Sequence, residues 1–325
     1  MTRLWTIVTI GFVLTAPDIA HAQQKISIPS LTPASLTALL HHETTPTTVT
    51  GELYLPPKAN GPVPALVLLH GSGGLQGPTG TNIRKWAGTF AGWGIAALVV
   101  DSFGPRGIKE TGSDQGQLSG WADDADALSA LKILAADPRI DKDRIGVVGW
   151  SRGGTAALNT VLEPVRKSII TDDLKFALHV VFYGSATLQY RGRTDKSPML
   201  FLHGEADNYV IPGPTREFAD WAKSQGNPVT FISYPKASHD FDVQGQFQGF
   251  LKTLESSAKC DLVTDLSNGR TLRMNHVDNP TANADDVRAY LKSCIGRGAT
   301  LGYNAAARAD AVEKIHGFLK QNFQL

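Results

Sequence analysis

The chain has 325 residues, 42% of them hydrophobic and 32 of them glycine, which is enough apolar material for a sizeable core and enough glycine for many tight turns. With 31 Lys+Arg against 30 Asp+Glu the formal charge is +1, so the basic excess expected of a nucleic-acid-binding protein is lacking and no nucleic-acid partner is expected. The same composition excludes a disordered chain or a collagen-like repeat.

The first 22 residues, MTRLWTIVTIGFVLTAPDIAHA, place Arg3 before an apolar run from Leu4 to about Ala16 and finish with Ala20-His21-Ala22. A basic start, a short apolar middle and a small-x-small ending predict a secretory signal peptide cleaved after Ala22. The mature protein then begins near Gln23 and is exported, to the periplasm or beyond, with no membrane contact after cleavage. An uncleaved N-terminal anchor is the alternative, but the apolar run is short for a span. Export gives meaning to Cys260 and Cys294: an even count in an oxidising compartment predicts a disulfide, closing a loop of 34 positions. Neither cysteine has a metal-ligand spacing nearby, so no zinc site is expected, and no cofactor is expected.

From about Val49 onward, short apolar runs alternate with helical patterns. TGELYLP alternates, PALVLLHG is a continuous aliphatic strand ending in glycine, IRKWAGTFAGWG reads as a helix, and IAALVVDSFGPRG opens on another buried strand. DADALSALKILAADP sets Ala125, Leu128, Leu131 and Leu134 at three-residue steps, a helical face stopped by Asp137-Pro138. RIGVVGWS is a strand and GTAALNTVL a helix; KFALHVVFYG, PMLFLHGEAD and VTFISYP are three further strands, and Val312, Ile315 and Leu319 share one face of a closing helix. Continuous hydrophobic strands alternating with helices predict an α/β fold, a mostly parallel sheet with helices on both faces, whose chemistry gathers at the carboxyl ends of the strands. The polar stretch from about 244 to 302, which holds both cysteines, is expected to be an insertion before the terminal helix. The interval GSATLQYRGRTDKS is too short for a lid, which predicts an open cleft.

Gly149-Trp150-Ser151-Arg152-Gly153 is a G-x-S-x-G element between a predicted strand and a predicted helix. That setting is what a nucleophilic serine on a sharp turn requires, since residues two before and two after must be small for the hydroxyl to stand clear. A serine needs a base to take its proton, and the base needs a carboxylate to orient it. In the order Ser, acid, His, the strand ends offer Asp207, with Glu205 as the alternative acid, and then His239. Asp240 would have to fold back to serve. His179 and His203 fall inside apolar strands and read as core; His276, His316, His41 and His42 lie away from the strand ends. The loop His70-Gly71-Ser72-Gly73-Gly74 can point amides at an oxyanion, so the predicted donors are the amides of Arg152 and of Ser72, or else Gly73. Trp150 and Tyr209 are candidates to line the substrate cleft. Arg106 and Arg152 are candidates to bind a substrate carboxylate, with a salt bridge, for example to Asp101, as the structural alternative for Arg106.

HGSGG, VVDSFGPRG, DPRIDKDRIGVVGWSRGG, LHGEADNYV and ASHDFD, in that order, resemble the dienelactone hydrolase family of the α/β-hydrolase superfamily, over about Val49 to Val243 plus the terminal helix. The resemblance implies an eight-stranded sheet, a nucleophile–Asp–His triad, no metal, and hydrolysis of a small-molecule ester or lactone. It departs at the nucleophile, which is cysteine in dienelactone hydrolases proper and Ser151 here, so the expectation is a carboxylic ester hydrolase. A peptidase resembling the prolyl oligopeptidase group is the alternative, and a non-catalytic binding protein of the same fold is the third reading.

Overall fold

A computed structural model describes residues 23–325; the expected signal peptide lies outside the described residues. The principal sheet has eight strands. In chain order the strands of the molecule are β1 (Gln23–Thr32), β2 (Thr45–Tyr54), β3 (Val63–Leu69), β4 (Ala96–Asp101), β5 (Ile140–Trp150), β6 (His179–Phe182), β7 (Leu188–Arg191), β8 (Met199–Gly204) and β9 (Val229–Tyr234). In space the sheet runs β1-β2-β4-β3-β5-β6-β8-β9. The first two strands are antiparallel and β2 is antiparallel to β4, while every later pairing is parallel.

The helices are α1 (Leu36–Leu40), α2 (Gly77–Gly92), α3 (Gly120–Ala135), α4 (Arg152–Asn159), α5 (Glu163–Lys167), α6 (Pro212–Ser224), α7 (Ala284–Cys294) and α8 (Ala305–Phe323). The unbroken aliphatic run of β3 follows from burial on both sides. Leu66 and Leu68 join Trp86, Phe90, Ile315 and Leu319 under α2 and α8, whereas Ala65, Val67 and Leu69 join Leu128, Leu131 and Ala156 under α3 and α4. A period-two chain with apolar side chains on both faces has no polar position left to show. The predicted strands and helices from TGELYLP to VTFISYP all form, as does the terminal helix, where Ile315 and Leu319 are fully buried and Val312 partly so.

Strand β1 falls outside the predicted elements. QQKISIPSLT is polar at most positions and carries Pro29, which an edge strand tolerates. What holds it is tertiary: a ten-residue antiparallel register with β2, the buried Ile28, and the Ser30 hydroxyl donating to Asp126 on α3 at 2.6 Å.

Between β9 and α8 the chain adds β10 (Gly249–Ser256), β11 (Leu262–Asp265), β12 (Thr271–Met274), β13 (Val277–Asp278) and β14 (Gly296–Leu301), together with α7. These strands stay out of the principal sheet. β10 pairs with β14, and β13-β12-β11 continue onto β7 through a parallel β11–β7 pairing. Cys260 and Cys294 are bonded, tying the start of β11 to the end of α7. No helix among the described residues is long and apolar enough to cross a membrane.

Closing a loop of 34 residues, the disulfide is expected to contribute about 3–4 kcal/mol by restricting the unfolded chain. A Cys260→Ala/Cys294→Ala double variant, or the reduced protein, should show that loss in chemical denaturation; an unchanged midpoint would mean that the segment is held by packing alone.

Candidate active site

Ser151 sits at the junction of β5 and α4 with φ 54° and ψ −115°, a left-handed conformation that side chains other than glycine rarely adopt. The residues two before and two after it are glycine because nothing else fits. A Cβ on Gly149 would lie 2.0 Å from the Gly153 carbonyl oxygen, and one on Gly153 would lie 2.3 Å from the Leu69 carbonyl oxygen. The turn is anchored by the Ser151 amide donating to the Phe182 carbonyl at 3.0 Å, so β6 holds the elbow in place.

The structure brings three of the predicted residues together. His239 Nε2 stands 2.9 Å from Ser151 Oγ, and its Nδ1 stands 2.7 Å from Asp207 Oδ2. A carboxylate can only accept, so Nδ1 carries the proton and Nε2 is free to accept from the hydroxyl. Asp207 is itself fixed, its Oδ1 accepting the amides of Tyr209 and Val210 at 2.9 Å each. Burial opposes a charged His239, but the adjacent Asp207 carboxylate, with Asp240 and Asp242 adding to it, outweighs burial and holds the ring above histidine's ordinary value. The alternative acid, Glu205, points away and pairs with Arg216 at 2.8 Å. Asp240 reaches only to 3.9 Å from His239 Nε2, and burial pushes its carboxyl up. His179 and His203 are buried and bonded to the carbonyls of Ala157 and Val210, as core histidines.

The Gly71-Ser72 turn passes directly over the serine, since a Cβ on Gly71 would be 3.1 Å from that of Ser151. Ser72 and Ser151 line both of two adjoining pockets, one of about 110 Å³ and one of about 290 Å³. The amide of Arg152, first in α4, has no carbonyl of its own helix to bond. Trp150 lines the smaller pocket, though its Nε1 is spent on Asp242; Tyr209 lines both and packs edge-on to His239.

Two expectations are corrected. Arg106 does not reach either pocket. Its guanidinium pairs with Asp126 at 2.6 and 3.0 Å and donates to the carbonyls of Ser102 and Leu31, joining β1 to α3, while Asp101 accepts from the amides of Phe103 and Gly104 instead. The unforeseen strand β1 supplied the Leu31 carbonyl and the Thr32 hydroxyl among those partners, while Asp126 lies on α3. The Arg152 side chain does line the larger pocket, but its guanidinium is committed to Asp123 and the Leu118 carbonyl at 2.6 Å each. The cleft is also not open: Leu254 and Leu301 wall the smaller pocket, Ser256 and Ile295 wall the larger, and Ser151 is only 8% exposed. The wall comes from the 249–301 segment together with the short interval itself, whose Ser185, Thr187, Leu188 and Tyr190 line the larger pocket.

Sequence reasoning missed Gln115, which donates to Ser72 Oγ at 2.9 Å and to the Tyr209 hydroxyl at 3.1 Å. It also missed Asp242, although ASHDFD carries it. This fully buried carboxylate accepts from Asn82, Trp86 and Trp150 at 2.8, 2.9 and 3.0 Å and from the Tyr183 hydroxyl at 2.6 Å, with Arg308 at 3.8 Å. Nothing local in the sequence distinguishes it; its donors come from α2, α8 and the ends of β5 and β6. Removing it would strand at least four buried donors, so Asp242→Ala is expected to cost about 3–5 kcal/mol in denaturant unfolding; a loss under about 1 kcal/mol would show that water replaces the carboxylate.

A family model for the dienelactone hydrolase family matches residues 49–266. Among curated proteins, the uncharacterized peptidase YtmA of Bacillus subtilis is 28% identical over 145 residues, 37% of this chain, which spans only 56% of that protein. A probable 2-oxo-3-(5-oxofuran-2-ylidene)propanoate lactonase of Bradyrhizobium is 24% identical over 204 residues, 57% of this chain and 76% of its own. Of solved structures, a dienelactone hydrolase-like promiscuous phosphotriesterase from metagenomic libraries superposes with a TM-score of 0.55 at 16% identity, covering 92% of this chain and 98% of that one. With the model matching more than half of its length and the eight-stranded sheet in place, this chain belongs to the dienelactone hydrolase family, on an α/β-hydrolase fold.

Proposed function

We propose that this protein is an exported serine hydrolase that cleaves carboxylic esters or lactones through an acyl-enzyme on Ser151. The observation that carries the reading is the continuous relay from Ser151 Oγ through His239 to Asp207, at 2.9 and 2.7 Å. Family membership and the lactonase relative support the substrate class; the Cys260–Cys294 bond and the signal-like first 22 residues support export.

His239 Nε2 takes the hydroxyl proton as Ser151 Oγ attacks the ester carbonyl, and Asp207 stabilises the imidazolium. The oxyanion accepts from the amides of Ser72 and Arg152. His239 returns the proton to the leaving alcohol, so the tetrahedral adduct collapses to an ester on Ser151. Water, deprotonated by His239, then attacks that ester and releases the acid. In a lactone the alcohol stays tethered and both functions leave on one product. The name of the Bacillus relative makes amide cleavage the rival reading, and paired ester and anilide substrates of one acyl group separate the two.

The purified protein should hydrolyse 4-nitrophenyl acetate and butyrate, and Ser151→Ala should lower kcat about 10⁴-fold or more with folding intact. An inactive wild type, or a variant that matches it, would sink the proposal. The base must be neutral to act. Because its neighbours raise the His239 pKa, the acid limb of kcat/KM should lie above pH 6.5, activity falling as pH drops through it. Asp207→Asn should lower kcat about 10⁴-fold and shift that limb to lower pH; a limb that stays in place would assign it to another group.

A further inference from the structure

Helix α3 opens with three aspartates in four residues, and only two meet a cation. Asp123 pairs with Arg152 and Asp126 with Arg106, each at 2.6 Å, whereas Asp124 has no salt bridge among the described residues. Asp124 is 1% exposed, its Oδ1 has no hydrogen-bond partner among the described residues, and it lines the larger pocket beside Asn159. Burial, reinforced by Asp123, pushes its carboxyl well above its ordinary value against the pull of the Asn159 amide and of Arg152, which disfavours the charged form. A buried polar group left unpaired costs free energy, and a ligand that pairs it recovers that cost.

The proton path assigns the two pockets. His239 and Asp240 line the smaller one and not the larger, and the leaving alcohol must receive its proton from His239 Nε2. The alcohol therefore lies in the smaller pocket and the acyl group in the larger. Most of the larger pocket's surface is apolar, from Leu188, Ala156 and Ile295 and from Trp121 and Tyr190, which meet edge-on at 4.9 Å; the charged groups that also line it, Arg152 and Glu255, are paired with Asp123 and Arg297. Its polar end is set back from the nucleophile: Asn159 stands eight residues past Ser151 on α4, about 12 Å at 1.5 Å per residue. A three-carbon acyl chain ending in an aromatic ring reaches that far, and Trp121 and Tyr190 suit its edges and faces.

On the esterase reading above, we propose that the larger pocket takes the acyl group and that Asp124 donates to an uncharged oxygen at its far end. The substrates are then esters of oxygenated aromatic acids with small alcohols. Asp124 acts as a specificity residue, apart from the chemistry at Ser151.

The test compares methyl 4-hydroxycinnamate with methyl cinnamate. Wild type should favour the hydroxylated ester about tenfold in kcat/KM, and Asp124→Leu should bring the ratio to about one. The ratio is internal to each protein, so a poorly folded fraction lowers both terms alike. Methyl 4-methoxycinnamate, whose oxygen only accepts, needs no variant: wild type should favour it over methyl cinnamate, and equal rates would overturn the donor assignment. A ratio that survives Asp124→Leu overturns the role of Asp124, while Ser151-dependent hydrolysis of both esters leaves the esterase reading standing. Faster cleavage of methyl 4-(aminomethyl)cinnamate than of the hydroxylated ester overturns it in favour of an ionised Asp124 that binds ammonium. If neither cinnamate nor 4-nitrophenyl acetate is hydrolysed, the esterase reading itself falls and takes this assignment with it.

Discussion

The backbone of Ser151 is the constraint on which the site depends. Its left-handed geometry lifts the hydroxyl off the end of β5, and it is tolerable only because Gly149 and Gly153 allow strand and helix to approach to within a Cβ's width. Strain of this kind costs on the order of 1–3 kcal/mol and persists only where the surroundings over-determine it. Here the Phe182 carbonyl accepts the Ser151 amide, while the Leu69 carbonyl crowds Gly153 from the β3 side. The three central strands thus converge on one residue, and their carboxyl-end loops supply Ser72, Arg152 and Tyr183 around it.

His239 has to meet that hydroxyl from a loop with little regular structure, and two features hold the loop. From below, Asp242 gathers donors from α2, α8, β5 and β6 into one buried cluster. From the side, the end of β14 bridges to the loop: Gly302 donates to the His239 carbonyl at 2.9 Å, and Asn304 to that of Phe241 at 2.8 Å. The 249–301 segment is therefore a support for the histidine as well as a wall of both pockets. Tyr209, packed against Ala299 and Leu301, extends that support to the loop carrying Asp207.

Charge on α3 is sorted in the same way. Asp126 and Arg106 close the gap between β1 and the helix, Asp123 and Arg152 tie the helix to the nucleophile turn, and the carboxyl between them faces a pocket whose lining arginine, Arg152, is already paired with Asp123. In the sequence these are simply DDAD, three equivalent acids on a predicted helix. Their different environments arise from the 100° rotation per residue meeting three different neighbours.

The sequence by itself determined whatever rests on local patterning. Buried strands read as aliphatic runs, helices as three-residue steps, and the nucleophile turn as glycines flanking a serine, because in each case the physical demand falls on residues adjacent in the chain. A candidate order Ser151, Asp207, His239, with Glu205 left open as the acid, could be read too, since strand ends punctuate a parallel sheet in a recognisable way. Tertiary structure alone decided which carboxylate met the histidine, that Arg106 turned inward to Asp126, that β1 joined the sheet edge, and that a segment ninety or more residues beyond the serine closed over it. Those outcomes depend on pairing across long stretches of chain, where burial and hydrogen-bond geometry choose among several chemically equivalent partners that composition and spacing leave indistinguishable.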